Sequence, residues 1–130
     1  MLDRIDICVE ASPITYGDIR SSGNNESSRE IRARVEQARK IQRERFAGEN
    51  VRCNGEMSGR HIRKFCGLGR EEEKFMEEIF EKLALSARMH DRILKVARTT
   101  ADLAEEEKIR LADLCEAVSY VKSRDKFWGN

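Results

Sequence analysis

The chain has 130 residues, a formal net charge of +1, 38% charged and 39% hydrophobic residues, 6% aromatics and one proline. That length carries one modest core, and so many charges with so few aromatics belong to surface-rich helices, not to a sheet sandwich, so an all-α fold is expected. Near-neutrality removes any global attraction to nucleic acid, no apolar run approaches the roughly 20 residues that span a bilayer, and no secretory signal opens the chain, so a cytoplasmic protein without a membrane partner is expected.

From Ile5 the sequence alternates, with Ile5, Ile7 and Val9 on one side and Asp6, Cys8 and Glu10 on the other. This is the period of a β-strand. Nothing later alternates, and a lone strand is unstable in water, so the chain reads as a piece of a longer protein whose sheet lies upstream. Pro13, Gly17, Ser21, Ser22, Gly23, Asn24 and Asn25 then mark a linker, with room for one helical turn at Tyr16 to Arg20. Three segments result: 1–25 strand and linker, 26–122 a helical domain of about four to five helices, and 123–130 a flexible tail.

Ser27 with Glu30 three residues on is a capping box, opening a helix to about Phe46 whose apolar stripe is Ile31, Val35, Ala38, Ile41 and Phe46. It carries seven cations against Glu30, Glu36 and Glu44. Clustered cations suit a phosphate-contacting face, for which Arg32, Arg39 and Arg43 are the candidates; the alternative is a solvated face with i,i+4 pairs such as Glu36 with Lys40. No aromatics interleave the cations, which weighs against single-strand stacking.

A polar connector follows from Glu49 to Met57. Ser58 can cap a short helix holding Ile62, Phe65 and Cys66, stopped by Gly67 and Gly69. Glu71, Glu72 and Glu73 favour the first turn of the next helix, where the dipole attracts anions, and Phe75, Met76, Ile79, Phe80 and Leu83 form its apolar face. The segment from Leu85 to Leu103 is the best-defined helix. Ser86 caps it, and Met89, Ile93, Val96, Ala97 and Thr100 share one face. Arg88, two residues past the cap, gains nothing from the positive end of the helix dipole and is well placed to meet an anion arriving there. A break at Ala104 to Glu106 leads to a final helix from about Glu107 to Lys122, with Ile109, Leu111, Leu114, Cys115, Val118 and Val121 on its apolar side.

Cys8, Cys53, Cys66 and Cys115 contain no CxxC pair, so free thiols and no metal site are expected; Cys53, His61 and Cys66 fall close together but lack the paired spacing of a zinc site. Cys66 and Cys115 occupy apolar helix positions, where free cysteine acts as a small core residue. No GxxxxGK[ST] phosphate loop occurs, so this chain alone is not expected to hydrolyse ATP. The acids follow helix-surface spacing and the two histidines fall in separate helices, leaving hydrolytic triads unsupported.

Ser86-Ala87-Arg88 through Ala101-Asp102-Leu103 resembles the Ser-Ala-Arg helix near the C-terminus of the magnesium-chelatase-like AAA+ ATPases of the ComM and YifB type, with Thr100 alone out of character. Residues 2–7 resemble that family's Leu-Leu-Asp-Arg-Ile-Asp-Leu motif, with Met1 where a leucine would stand, and the run from Gly23 to Arg39 resembles its Gly-Glu-Ser-Ser segment. The likeness extends from Leu2 to Val121. It implies that 1–25 ends an AAA+ core and that 26–122 is its helical lid. By resemblance, Arg88 is the sensor-2 residue, reaching the γ-phosphate of ATP held with Mg²⁺ by the upstream core of the same subunit. Arg4 would be an arginine finger entering the neighbouring subunit of a homo-oligomeric ring; on the residues alone it is equally a surface arginine paired with Asp3 or Asp6. The segment from Ser58 to Cys66 looks closer to the DNA-linked branch, associated with branch migration, than to true magnesium chelatase motors. A free-standing helical DNA-binding module and a protein-interaction bundle remain the alternatives.

Overall fold

The computed structural model describes residues 5–20 and 25–128, with side chains through Lys122. Among these residues are six helices and no strand: α1 (Tyr16–Arg20), α2 (Ser28–Arg45), α3 (Gly59–Phe65), α4 (Arg70–Lys82), α5 (Ala87–Leu103) and α6 (Leu111–Trp128), with a 3-10 turn at Asn54–Glu56. The all-α expectation holds, and the sixth helix is the five-residue α1. The expected strand does not form: residues 5–15 are neither helix nor strand, and Ile5, Ile7 and Val9 are 42%, 53% and 67% exposed. A strand requires a ladder, and no described segment supplies one. The extended stretch is instead tied to α5 by an ion pair between Asp6 and Arg92, at 3.2 Å.

The three caps legible in the sequence form: the Ser27 hydroxyl accepts from the Glu30 N–H and the Ser86 hydroxyl from the Met89 N–H, each at 3.1 Å, and Ser58 caps the helix that begins at Gly59. α5 is the central element. It packs on α6 along one side and on α2, α3 and the 3-10 turn along the other, while α4 closes against α6. Eight of its residues are buried, including Met89, Ile93, Val96 and Ala97 of the expected face. Both sides of the helix are therefore covered, where its spacing marked one. Phe46, Met57, Ile62, Cys66, Met76, Leu114 and Val118 complete the same apolar cluster.

Three other expectations are corrected. Ile31 and Val35 are 44% and 41% exposed, because α2 reaches its neighbours only from Ala38 onward and its N-terminal half projects past them. Cys115 is exposed, with Leu114 and Val118 carrying the packing beside it. The last helix starts at Leu111, not Glu107, because Asp113 reaches back to accept from the Arg110 N–H at 2.8 Å and sets the first turn there. The intervening turn passes through Glu105 at φ 58°, with the Glu106 N–H returning to the Ala101 carbonyl at 2.8 Å. This is a Schellman-type stop without glycine.

A polar cluster lies inside the apolar one. Asp102, 0% exposed, accepts from Arg45 at 2.8 and 2.5 Å and from the Asn54 amide at 2.9 Å, and pairs with Arg98 at 3.2 Å. Asn54 accepts from Arg45 through its side-chain oxygen at 3.0 Å, and its backbone N–H donates to the buried Gln42 side chain at 2.9 Å. Removing one partner of such a cluster strands buried charge, which costs about 3 to 5 kcal/mol. Asp102→Ala is therefore expected to lower unfolding free energy by that amount in urea denaturation, whereas Arg52→Ala, which breaks only the exposed Arg52–Glu56 pair, leaves the midpoint nearly unchanged.

Candidate functional site

The sequence singled out four kinds of residue, and the fold separates them. Arg88 lies in the first turn of α5 and is exposed. Its position is a consequence of the Ser86 cap: the hydroxyl takes the Met89 N–H, fixing where the helix begins and hence where Arg88 stands. Arg92, one turn on, is nearly covered and engaged with Asp6. Arg98 is buried at 4% and donates to the carbonyls of Glu106 and Glu107 at 2.8 and 3.0 Å besides pairing with Asp102. Burial pulls its pKa below the ordinary guanidinium range, against the opposing effect of Asp102. Of the three arginines on α5, Arg88 alone is solvent-facing, while the other two serve the fold. Arg4 lies outside the described residues.

On α2, Arg32, Arg39 and Arg43 are all exposed. At 100° per residue they fall within one narrow stripe, spanning eleven residues or about 16 Å of helix. The stripe borders a groove of about 650 Å³ between α2, the 3-10 turn and the end of α5, which Arg39 and Arg43 line together with Arg52. Val35, Ala38 and Leu103 supply its apolar lining. Arg34 is turned away to Glu26, and Arg45 is consumed by Asp102, so neither joins the stripe.

Ser58 and His61 approach in a way that spacing alone does not suggest for catalysis. His61 Nδ1 stands 2.8 Å from the Ser58 hydroxyl and accepts from the Ser58 N–H at 3.1 Å, while Nε2 faces the Asn50 side-chain oxygen at 3.1 Å. This is a capping box at the start of α3, with histidine in the usual glutamate role. Nearby, Glu49 is held below the usual carboxylate range by its 2.7 Å contact with Lys64. Cys53 is exposed, His61 is engaged in this cap and Cys66 is buried; among the described residues no three metal-ligating side chains gather. No helix among them is long and apolar enough to cross a membrane.

The sequence that folds into this bundle matches a known domain family. The family model for the C-terminal domain of the magnesium chelatase subunit ChlI matches residues 25–121. Over 92% of its length the chain is 38% identical to competence protein ComM of Haemophilus influenzae and 36% identical to the uncharacterized protein YifB of Salmonella typhimurium. YifB of Escherichia coli is 38% identical over the same share. The chain spans 23% of the length of each of these relatives. It belongs to the magnesium-chelatase-like family of the ComM and YifB type, as the C-terminal domain of such a protein.

Two predictions test the division of labour. Arg88 is exposed and Arg98 buried, so Arg88→Ala should shift stability by no more than about 0.5 kcal/mol, whereas Arg98→Ala should destabilise severalfold more, read by parallel urea melts. Burial pushes the Cys66 thiol from 9.0 up to about 11. The unfolded thiol ionises first, so the stabilisation this group contributes is complete below pH 9 and disappears as pH rises through about 11. Between those values wild type should lose stability more steeply than Cys66→Ala, measured as urea midpoints across an alkaline series.

Proposed function

We propose that this domain is the sensor-2 lid of a ring-forming AAA+ ATPase, in which Arg88 reaches the γ-phosphate of ATP bound with Mg²⁺ on the upstream core of its own subunit. The observation that carries this reading is the exposure of Arg88 at the positive end of the rigid central helix, where a cation sits against the dipole. A cation so placed is costly to the helix on its own and favourable once an anion arrives. Family membership supports the same role.

What the residues supply is positioning and charge. Ser86 fixes the first turn, and the buried length of α5 behind it holds Arg88 rigidly relative to the bundle. ATP·Mg²⁺ brings the cleavable phosphoanhydride and its developing negative charge, which a guanidinium stabilises. Lid closure over the nucleotide would then translate phosphate occupancy into movement of the whole bundle. Arg4 acts in trans, as the finger that completes the neighbour's site. The ring is homo-oligomeric and its track is DNA, as the resemblance to the branch-migration type suggests.

A second reading is a helical DNA-binding module, favoured by the exposed Arg32, Arg39 and Arg43 stripe. It predicts DNA affinity that falls steeply with salt and loses about one unit of log–log slope per arginine removed.

The deciding experiment is DNA-stimulated ATP hydrolysis by the full-length protein. Arg88→Ala and Arg4→Ala should each abolish most turnover, the finger variant by a factor on the order of 10³ to 10⁵. Mixed with a subunit unable to bind ATP, Arg4→Ala should regain activity, because the partner supplies an intact finger; Arg88→Ala should not. Normal turnover by Arg88→Ala would overturn the sensor assignment.

A further inference from the structure

The groove beside α2 and the outer face of α4 are matched in sign, shape and pitch. Val35, Ala38 and Leu103 supply apolar lining to the groove, with Arg39 and Arg43 beside them; Arg52 lines it too but is paired there with Glu56, so Arg39 and Arg43 carry its net charge. Arg39 and Arg43 stand one turn apart, about 6 Å along the helix axis. Neither is paired with another described residue. α4 carries six glutamates against Arg70, Lys74 and Lys82. Glu73, Glu77 and Glu81 repeat every four residues, giving an exposed acidic row of the same pitch. Phe80, 39% exposed, flanks this row on the helical wheel, about 20° beyond Glu73 on the side away from Glu77, with one side of its ring against His90 at 6.0 Å.

We propose that the groove beside α2 receives the α4 face of a second copy of this chain, with Phe80 on the apolar lining and Glu77 and Glu81 opposite Arg39 and Arg43. The two surfaces are different ones: the groove belongs to α2, the 3-10 turn and the end of α5, and the acidic row to α4. The contact is therefore head-to-tail: each copy offers its groove to one neighbour and its acidic row to the other, which yields a ring or a filament and not an isologous dimer. Net charge supports this occupant. A chain of +1 overall has no general attraction to a polyanion, yet its opposite patches attract one another across copies. A nucleic-acid backbone would satisfy the arginines but leave the apolar lining and Phe80 unused. The contact deepens the ring reading above by naming which lid surfaces meet, and it needs no nucleotide, so its failure is distinguishable from failure of the ATP chemistry.

Sedimentation velocity of the 130-residue chain over a dilution series tests it. In low salt the weight-average mass should rise with concentration, and the rise should vanish in high salt, since such exposed charges are screened within about 10 Å at 0.1 M. R39E/R43E and E77R/E81R should each remain monomeric alone, with native circular dichroism. Mixed together they should associate again, because the intact groove of one meets the intact acidic row of the other. F80S should weaken association at least tenfold while leaving the charges in place. A wild-type chain that is monomeric throughout the series, a mixture that fails to associate, or an E77R/E81R chain that associates as wild type does would each overturn the proposal. DNA binding lost in R39E/R43E, from a wild-type chain that stays monomeric, would assign the groove to nucleic acid instead.

Discussion

The buried carboxylate of Asp102 is the constraint on which the arrangement of this bundle depends. It draws Arg45 from α2, Asn54 from the 3-10 turn and Arg98 from its own helix into one contact, linking residues 57 apart in the chain. Two guanidinium groups around a single carboxylate leave an excess of buried positive charge. Backbone carbonyls absorb part of it: Arg98 donates from Nη2, which also faces Asp102, to Glu106 and from Nη1 to Glu107, at the tight turn after α5. That turn runs through a left-handed non-glycine residue, Glu105, a conformation that costs roughly 1 to 2 kcal/mol. Arg98 offsets part of that cost by holding the two carbonyls that follow Glu105. One side chain thus joins the electrostatics of the core to the topology of its last two helices.

Buried ion pairs often contribute little net stability compared with well-packed apolar groups of the same shape, while fixing how elements meet. That distinction fits the geometry. The bidentate pair between Arg45 and Asp102 allows α2 only one rotation and one height against α5, since both oxygens are engaged. Gln42 reinforces this by accepting the Asn54 backbone N–H within the same buried region. With its C-terminal half so held, α2 carries Arg32, Arg39 and Arg43 outward on a defined stripe, and Ile31 and Val35 remain uncovered beside them. At the opposite end of α5, fourteen residues or about 21 Å away, the Ser86 cap sets Arg88. A single rigid helix therefore connects the polar anchor of the fold to its exposed terminal cation.

The parts of this structure that were legible in the sequence are those governed by local spacing. Ser27 and Ser86 sit where their hydroxyls can close a first turn, and Met89, Ile93, Val96 and Ala97 repeat at helical intervals, so the helices and their starts could be read directly. Arg88 could be flagged locally too, since a cation in a first turn opposes the dipole; its nucleotide role came only from resemblance. What could not be read is what depends on distant partners. Nothing near Asp102 announces Arg45, and an Arg98–Asp102 spacing of four is equally that of a surface pair. The same limit explains Ile31, Val35 and Cys115, whose periodicity marks them as apolar while burial depends on whether another helix reaches them. The strand expected at Ile5 to Val9 failed for this reason as well, because alternation describes a face and pairing requires a neighbour.

Charge is segregated by helix in a chain whose total nearly cancels. α2 has an excess of four cations and α4 an excess of three acids, and α2 packs chiefly on α5 while α4 packs chiefly on α6. Intramolecular attraction between them would have been satisfied by packing them together, yet the cations of α2 that do find buried partners go to Asp102, not to α4. The segregation is thus unspent within the fold. It is also rigidly spaced: α2 is fixed by the Asp102 cluster, and α4 by Met76, Ile79 and Leu83 against the common core. Flexible patches of opposite sign would produce disordered association with many geometries. Patches held at a fixed angle permit one rotation per contact, and whether a repeated contact closes on itself is decided by that angle. The polar cluster that orients α2 against α5 therefore also sets the angle between the surfaces this domain presents to its surroundings.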